Sequence, residues 1–182
     1  EIYYQPLYTV CDDNFTEAEA LLRLKGPDGE YIPPDEFIPL AEETGQIIEI
    51  GSMVLKRVCG YISYLLSCHI NIDTISVNLS VVQLMGEDAV PGLLKIIHDS
   101  GISPNRILFE ITESILISNY TLIAEKIREL SRAGIQFALD DFGTGYSNIT
   151  NVIDLPFDVV KIDKSPTLEA NPDYPEEAWG IE

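Results

Sequence analysis

Two adjacent aspartates, Asp140 and Asp141, stand where an apolar segment meets a glycine-rich turn. The segment IQFALDDFGTG at residues 135–145 has the composition of a buried strand, and Gly143 and Gly145 allow a sharp turn after it. Carboxylate oxygens are hard ligands, so paired carboxylates at a strand end can bind a divalent cation. The sequence therefore predicts one side of a divalent-metal site here.

Three other apolar strands carry an oxygen-bearing side chain at a similar place. Glu19 lies in AEALLR, Asn78 closes TISVN and Glu110 closes RILFE. The carboxyl ends of strands meet on one face of a parallel barrel, so these residues and Asp140 are predicted to converge on one ion. Carboxylates with an amide favour Mg²⁺, Mn²⁺ or Ca²⁺ over zinc. Any one of them could instead cap its strand, but four in register, followed by a lysine, favour the metal site.

Lys161 lies between apolar residues of the segment DVVKID, on the same predicted face as Val159 and Asp163. A lysine among apolar strand residues is costly to bury unless it is paired or takes part in chemistry. It could form an ion pair with Asp163 or a neighbouring carboxylate. Alternatively, it could orient or protonate a reacting water at a metal site, and its position beside the other strand ends favours this second interpretation.

The composition indicates one acidic globular domain. The chain has 182 residues and a formal net charge of −19, which is enough chain for one sizeable core. This charge disfavours nucleic acid polymers and anionic membranes, so an anionic ligand needs metal ions that reverse the local charge. No apolar run reaches the ~18 residues of a membrane span. The three cysteines have no metal-ligand spacing, which is typical of reduced thiols, and we predict a cytoplasmic domain without membrane contact.

Strands alternate with helical segments along the chain, which predicts βαβ crossovers and parallel pairing. A helix start is indicated at Pro33 and Pro34, and a helix over TLIAEKIRELSRAG closes at Gly134. The predicted strands are YYQPLYTV, AEALLRL, TISVNLS, RILFEIT, QFALDD and DVVKID.

Short motifs in a fixed order now carry a family resemblance. They are EALLR at residues 19–23, FIPLAEETG at 37–45, SVNLSVVQL at 76–84, FEITES at 109–114, LDDFGTGYSN at 139–148 and VKID at 160–163. Together they resemble the EAL domain, the bacterial cyclic di-GMP phosphodiesterase family, over about residues 2–164.

The resemblance implies a TIM-like (β/α) barrel with an antiparallel first strand and a hydrolase that opens cyclic di-GMP to linear pGpG. It implies a two-metal site for Mg²⁺ or Mn²⁺. Carried over by motif, the first metal ligands are Glu19, Asn78, Glu110 and Asp140, and Asp141 serves the second metal. Lys161 positions the attacking water and is grouped with Glu19 and Asp141 as catalytic. Glu113 anchors the glycine-rich loop, and Gln5, Leu21 and Arg23 contact the dinucleotide, with Arg23 at a phosphate.

The family pattern ends after Lys164 in this sequence. The resemblance implies two further strands, with an AEGVE-like segment whose glutamate binds metal and a GYYFSKP-like segment that helps hold guanine; neither follows. We therefore expect about six of the family's eight barrel strands within residues 1–164, and a divergent acidic, proline-rich tail over 165–182.

An incomplete barrel leaves an alternative function open. The domain could be a non-catalytic cyclic di-GMP receptor or a protein-interaction module on a degenerate EAL barrel. The presence of six predicted metal and catalytic residues favours the enzyme, namely Glu19, Asn78, Glu110, Asp140, Asp141 and Lys161. The missing C-terminal strands favour the alternative for this chain. The resemblance is also compatible with a homodimer and with an upstream GGDEF or sensor domain.

Overall fold

Parallel strands form the centre of the fold in the computed structural model, which describes residues 1–10, 13–112, 120–142 and 154–162. The strands are β1 (Ile2–Thr9), β2 (Asn14–Leu22), β3 (Leu24–Lys25), β4 (Tyr31–Ile32), β5 (Thr74–Asn78), β6 (Ile107–Thr112), β7 (Gln136–Phe142) and β8 (Val159–Ile162). A six-stranded sheet has the order β1-β2-β5-β6-β7-β8, and β3 and β4 form a separate hairpin. β1 is antiparallel to β2, and each following pair in the large sheet is parallel.

Helices connect the parallel strands. They are α1 (Pro34–Glu43), α2 (Ile47–Ser67), α3 (Val81–Met85), α4 (Ala89–Ser100) and α5 (Tyr120–Arg132), with a 3₁₀ turn at Pro104–Arg106. A proline in the first turn and the acidic residues Asp35 and Glu36 favour the start of α1. Gly101, with a φ of 74°, takes the left-handed conformation that ends α4. No helix in the described ranges is both long enough and apolar enough to cross a membrane.

One apolar core joins the sheet to the helices. Residues of α2, α4 and α5 pack in the same buried cluster as β5, β6 and β7. β5 and β6 are buried along nearly their whole length, as expected for parallel strands covered on both faces. Each fully buried side chain such as Ile75 or Phe109 contributes about 1.5–3 kcal/mol through the hydrophobic effect. The carboxyl ends of these strands therefore rest on a rigid base.

The predicted fold class is confirmed, including the antiparallel first strand, the parallel strands after it and the six-strand sheet. Sequence reasoning missed the β3–β4 hairpin and α3. It also did not separate α1 from α2, which are divided near Gly45, where φ is 72°. Within the described ranges β1 and β8 are the edges of the sheet, and Val160 and Ile162 of β8 are exposed.

Candidate functional site

Neighbouring strands bring the predicted oxygen-bearing residues to the carboxyl end of the sheet. Asn78 closes β5 and lies opposite Glu110 of β6 in the parallel register. Glu19 lies on β2, on one side of this pair, and Asp140 lies on β7, on the other side. Because these strands are adjacent, four side chains from four strands face a common space.

The ammonium of Lys161 lies among three of these carboxylates. Its Nζ atom is 2.8 Å from Glu110 Oε1 and 3.3 Å from Glu19 Oε2. Asp140 Oδ2 is 3.8 Å away. Asn78 Nδ2 donates a hydrogen bond to the other Glu19 oxygen, Oε1, at 3.4 Å. We call Glu19, Asn78, Glu110, Asp140 and Lys161 the Lys161 cluster.

Glu110 is the most deeply buried carboxylate of the Lys161 cluster, with 2% of its surface exposed. Burial raises its pKa above the ordinary value, although the hydrogen bond from Lys161 and the nearby Ser76 hydroxyl act in the opposite direction. Neither Glu110 Oε2 nor Ser76 Oγ has a hydrogen-bond partner of ordinary geometry among the described residues. A buried carboxylate oxygen of this kind is costly, and it is accounted for when a ligand completes the site.

The pKa of Lys161 is raised as well, but for a different reason. Burial lowers its pKa, but the hydrogen bond to Glu110 and the charges of Glu110, Glu19 and Asp140 outweigh burial, so the pKa stands above its ordinary value. Lys161 is therefore an ammonium at neutral pH, a donor of hydrogen bonds with no capacity to accept a proton. Lys161 forms ion pairs with neighbouring carboxylates, as one interpretation of the sequence predicted.

Asp141 follows Asp140 in the left-handed region of backbone conformation, with φ at 56°. Aspartate is one of the few non-glycine residues that tolerates this region. The Asp141 backbone N–H donates to Asp140 Oδ1 at 3.0 Å, which orients the Asp140 carboxylate. Asp141 itself is exposed. Such uncommon backbone at a strand end is often found beside functional groups.

A cavity of about 400 Å³ opens beside the Lys161 cluster. Leu21, Arg23 and Asn78 line it, together with residues from α1 and α2, so two predicted ligand contacts border the same space as a cluster residue. Arg23 Nη1 donates to the Leu22 carbonyl at 2.9 Å. A guanidinium has five N–H donors, so this bond is compatible with a further bond to an anionic group.

Of the remaining predicted site residues, the structure describes Gln5 but not Glu113. Gln5 is exposed on β1, opposite Glu19 in the antiparallel register, and does not line this cavity. Glu113, predicted to anchor the glycine-rich loop, is outside the described residues, as are Gly143, Gly145 and Asp163.

The oxygen donors of the Lys161 cluster suit a hard divalent cation in their chemistry. Glu110 Oε2 supplies a buried acceptor of the kind such an ion needs. In the part of the chain that the structure describes, no three carboxylate, imidazole or thiolate side chains are spaced to hold a metal. The carboxylates are instead spaced around the Lys161 ammonium.

Several polar residues near the site were not identified from the sequence. Ser76 lies beside Glu110, and its position two residues before Asn78 was the available signal, since alternate residues of a strand share a face. Glu42, Ser80 and Gln83 also interact close to the cluster. Glu42 is 38 residues from Ser80, so their contact has no local sequence signal. Ser80 and Gln83 have the spacing of a capping box, which was the available signal for that pair.

Comparison with known proteins gives consistent matches. A family model described as "EAL domain" matches residues 1–179. An uncharacterized signaling protein of Caulobacter vibrioides is 40% identical over 168 residues, which are 90% of this chain and 20% of that protein. The cyclic di-GMP phosphodiesterase PdeR of Escherichia coli K12 is 35% identical over 163 residues, 90% of this chain and 24% of PdeR. The chain thus spans about a quarter or less of these relatives.

A solved structure matches over nearly the whole chain. The PaMucR phosphodiesterase in a complex with c-di-GMP superposes with a TM-score of 0.84 at 32% identity. The match covers 95% of this chain and 71% of that one. At this similarity the two chains share the architecture of the sheet that carries the Lys161 cluster.

Proposed function

The chain belongs to the EAL domain family, and we propose that it is a metal-dependent phosphodiesterase domain that hydrolyses cyclic di-GMP to linear pGpG. One observation carries the proposal: the Lys161 ammonium lies among three carboxylates beside a cavity that Arg23 lines. A similar protein, PdeR, is named a cyclic di-GMP phosphodiesterase, and the PaMucR structure contains c-di-GMP. These relatives support the substrate class.

In this proposal the oxygen side chains of the site hold Mg²⁺ or Mn²⁺. Glu19, Asn78, Glu110 and Asp140 hold one ion, and Asp141 contributes to a second. Bound divalent ions neutralise charge at a phosphodiester and lower the pKa of a bound water. They also account for the binding of an anionic dinucleotide by a chain with a net charge of −19.

The cavity residues position the substrate. The Arg23 guanidinium meets a phosphate oxygen, for which its planar donor geometry is well suited. Leu21 offers apolar contact area on the same cavity wall. Gln5 lies outside the cavity on the neighbouring strand β1, and we propose that it gives a polar contact to a more distant part of the dinucleotide. These residues hold the scissile phosphate at the edge of the Lys161 cluster, and such positioning lowers the entropic part of the barrier.

The reaction forms a bond from a water oxygen to phosphorus and breaks the bond between phosphorus and O3′. The bonding electrons leave with O3′, which takes up a proton from solvent, and the phosphate stays on the 5′ side of pGpG. Lys161, charged at neutral pH, donates a hydrogen bond that orients the attacking water. The proton that the water loses passes to a carboxylate, for which Glu19 and Asp141 are the candidates.

The parent protein is a further part of the proposal. Because the chain spans 20% of one relative and 24% of another, we propose that it works with an upstream GGDEF or sensor domain. Within the described ranges β8 is an edge of the sheet, and an edge strand can pair with a further strand, so a homodimer is also part of the proposal.

A turnover assay tests the proposed function. The chain is incubated with cyclic di-GMP and Mn²⁺, and pGpG is measured by chromatography with an EDTA-treated sample as the control. We expect pGpG in the sample with Mn²⁺ and none in the EDTA-treated sample. Binding of cyclic di-GMP without formation of pGpG contradicts the proposed enzymatic function and supports the alternative of a non-catalytic receptor. If the chain shows no binding of cyclic di-GMP and no turnover, both functions are rejected for this chain.

A further inference from the structure

The turn that follows Asn78 is held by a network of polar side chains. Ser80 Oγ donates to Glu42 Oε1 at 2.6 Å and accepts from the Val82 backbone N–H at 3.1 Å. The Ser80 backbone N–H donates to Gln83 Oε1 at 3.1 Å. Ser80 and Gln83 thus form a capping box at the start of α3, which satisfies backbone donors that would otherwise lack partners. Glu42 ties this box to the end of α1.

Gly51 on α2 completes the arrangement. A Cβ atom at Gly51 would lie 1.9 Å from Gln83 Nε2, so the glycine makes room for the glutamine side chain. Gln83 is only 9% exposed and packs directly on the α2 backbone. Gly60 on the same helix has open space around a corresponding Cβ. We call Glu42, Gly51, Ser80 and Gln83 the Ser80 clamp.

The Ser80 clamp is connected to the Lys161 cluster by a short stretch of backbone. Ser80 comes two residues after Asn78 in the chain. The Leu79 N–H between them donates to the Glu110 carbonyl at 2.9 Å, so this backbone is fixed to β6. Gly51 and Gln83 also line the cavity with Asn78. Ser80 is thus one residue removed from Asn78, and two clamp residues border the same cavity as Asn78.

The far end of α3 is held as well. Lys126 Nζ of α5 donates to the Leu84 carbonyl at 2.7 Å and also to the Gly86 carbonyl. α3 has 5 residues, and an isolated helix of that length has little stability of its own. Its position is set by these polar contacts at both ends and by Leu84, which is fully buried in the apolar core.

We propose that the Ser80 clamp is a positioning device for Asn78: Glu42 acts through Ser80 to hold the Asn78 amide against Glu19. The catalytic consequence of this inference rests on the proposed function, whereas the positioning itself does not. Glu42 and Gln83 are positioning residues, because they act on the site through Ser80 and touch none of the reacting atoms.

Two independent changes disturb the clamp, and each has a matched control. Glu42→Ala removes the acceptor of the Ser80 hydroxyl, Glu42→Gln keeps an oxygen acceptor, and Glu43→Ala removes the adjacent exposed charge. Gly51→Ala displaces the Gln83 amide, whereas Gly60→Ala adds the same methyl group to open space in the same helix. Alanine is favoured over glycine inside a helix, so both alanine variants of α2 are expected to fold.

The first measurement is the side-chain amide signal of Asn78 in a ¹H–¹⁵N NMR spectrum, assigned by its loss in Asn78→Asp. We expect this signal to shift in Glu42→Ala and Gly51→Ala, and to stay unchanged in Glu42→Gln, Glu43→Ala and Gly60→Ala. An Asn78 signal that is unchanged in folded Gly51→Ala overturns the inference, whether or not Glu42→Ala folds.

The second measurement is initial-rate kinetics with cyclic di-GMP. We expect kcat to fall about 10-fold to 100-fold in Glu42→Ala and Gly51→Ala, as for a small displacement of a catalytic group, with recovery in Glu42→Gln. Equal kcat in Glu42→Ala, Glu43→Ala and the unchanged chain contradicts a positioning role. If the unchanged chain releases no pGpG, the proposed function fails, and the NMR signal alone decides the positioning inference.

Discussion

The Lys161 cluster and the Ser80 clamp lie next to each other but satisfy their polar groups to different extents. In the Ser80 clamp, the Ser80 hydroxyl donates to Glu42 and accepts from a backbone N–H. In the Lys161 cluster, Glu110 Oε2 is buried and has no hydrogen-bond partner of ordinary geometry among the described residues. Glu110 also has a raised pKa, because it is buried. The clamp is complete without a ligand, and the cluster is not.

This difference indicates a structural role for the Ser80 clamp and a chemical role for the Lys161 cluster. A polar network whose members are all paired makes the local structure rigid and specific. Buried carboxylates that crowd one ammonium carry an excess of negative charge, which favours a further cation or a reacting group. Where local rules of polar pairing are broken, a functional site is expected.

The largest effect is expected for metal binding at Asp140. Asp140→Ala removes a proposed ligand whose carboxylate is oriented by the Asp141 N–H, and we expect Mn²⁺ affinity to fall by about 100-fold or more, since even loss of an outer contact costs 10–100-fold. Calorimetric titration with Mn²⁺ measures it. Unchanged Mn²⁺ affinity in Asp140→Ala would contradict the proposal that the Lys161 cluster binds the metal ion. Asp99→Ala, the loss of an exposed carboxylate on α4, serves as the comparison.

A smaller effect is expected for the cavity arginine. Arg23→Ala removes the proposed phosphate contact, and we expect KM for cyclic di-GMP to rise about 10-fold or more, because hydrogen bonds to charged groups contribute about 1.5–3 kcal/mol. Initial-rate kinetics measure the change. Arg132→Ala, an equal loss of charge at an exposed position on α5, is the control. Equal KM in the two variants would place the substrate away from this cavity.

The clamp is expected to affect stability more modestly. Ser80→Ala removes the cap of α3 and should lower the free energy of unfolding by about 1 kcal/mol, the usual contribution of such a cap. Ser80→Thr keeps the hydroxyl and should recover most of it. Urea denaturation measures both, and Ser52→Ala on the exposed side of α2 is the control. A Ser80→Ala variant as stable as Ser52→Ala would mean that the capping box contributes nothing.

The smallest effect is expected at Tyr4 on β1, remote from the clamp. Burial, and then the neighbouring Tyr61, raise the pKa of Tyr4 to about 12. The unfolded chain releases this proton near pH 10, so the stability contributed by Tyr4 is complete below pH 10 and is lost as pH rises toward 12. Tyr4→Phe should therefore lose less stability over this window. Denaturation at several pH values measures it, with the exposed Tyr64 as the control position. A Tyr64→Phe variant with the same pH dependence as Tyr4→Phe would contradict the expectation.

The sequence predicted the cluster better than the clamp for a physical reason. Glu110, Asp140 and Lys161 each lie at or near the end of an apolar strand, and the adjacency of parallel strands brings such ends together. Glu42 and Ser80 are separated by 38 residues, and their contact depends on how α1 packs near α3. Gly51 had no turn or positive φ to mark it; only the Gln83 side chain beside it explains the glycine. The two-residue strands β3 and β4 are too short to leave a pattern.

The most direct test of the account is Lys161→Met, with cyclic di-GMP affinity and pGpG release measured in the same sample with Mn²⁺. Methionine keeps the length and apolar stem of lysine but removes the ammonium that lies 2.8 Å from Glu110. We expect a folded protein that binds cyclic di-GMP nearly as the unchanged chain does, with kcat reduced about 100-fold or more. A folded Lys161→Met variant that releases pGpG at the rate of the unchanged chain would show that Lys161 is only a structural ion-pair partner, and it would contradict the account.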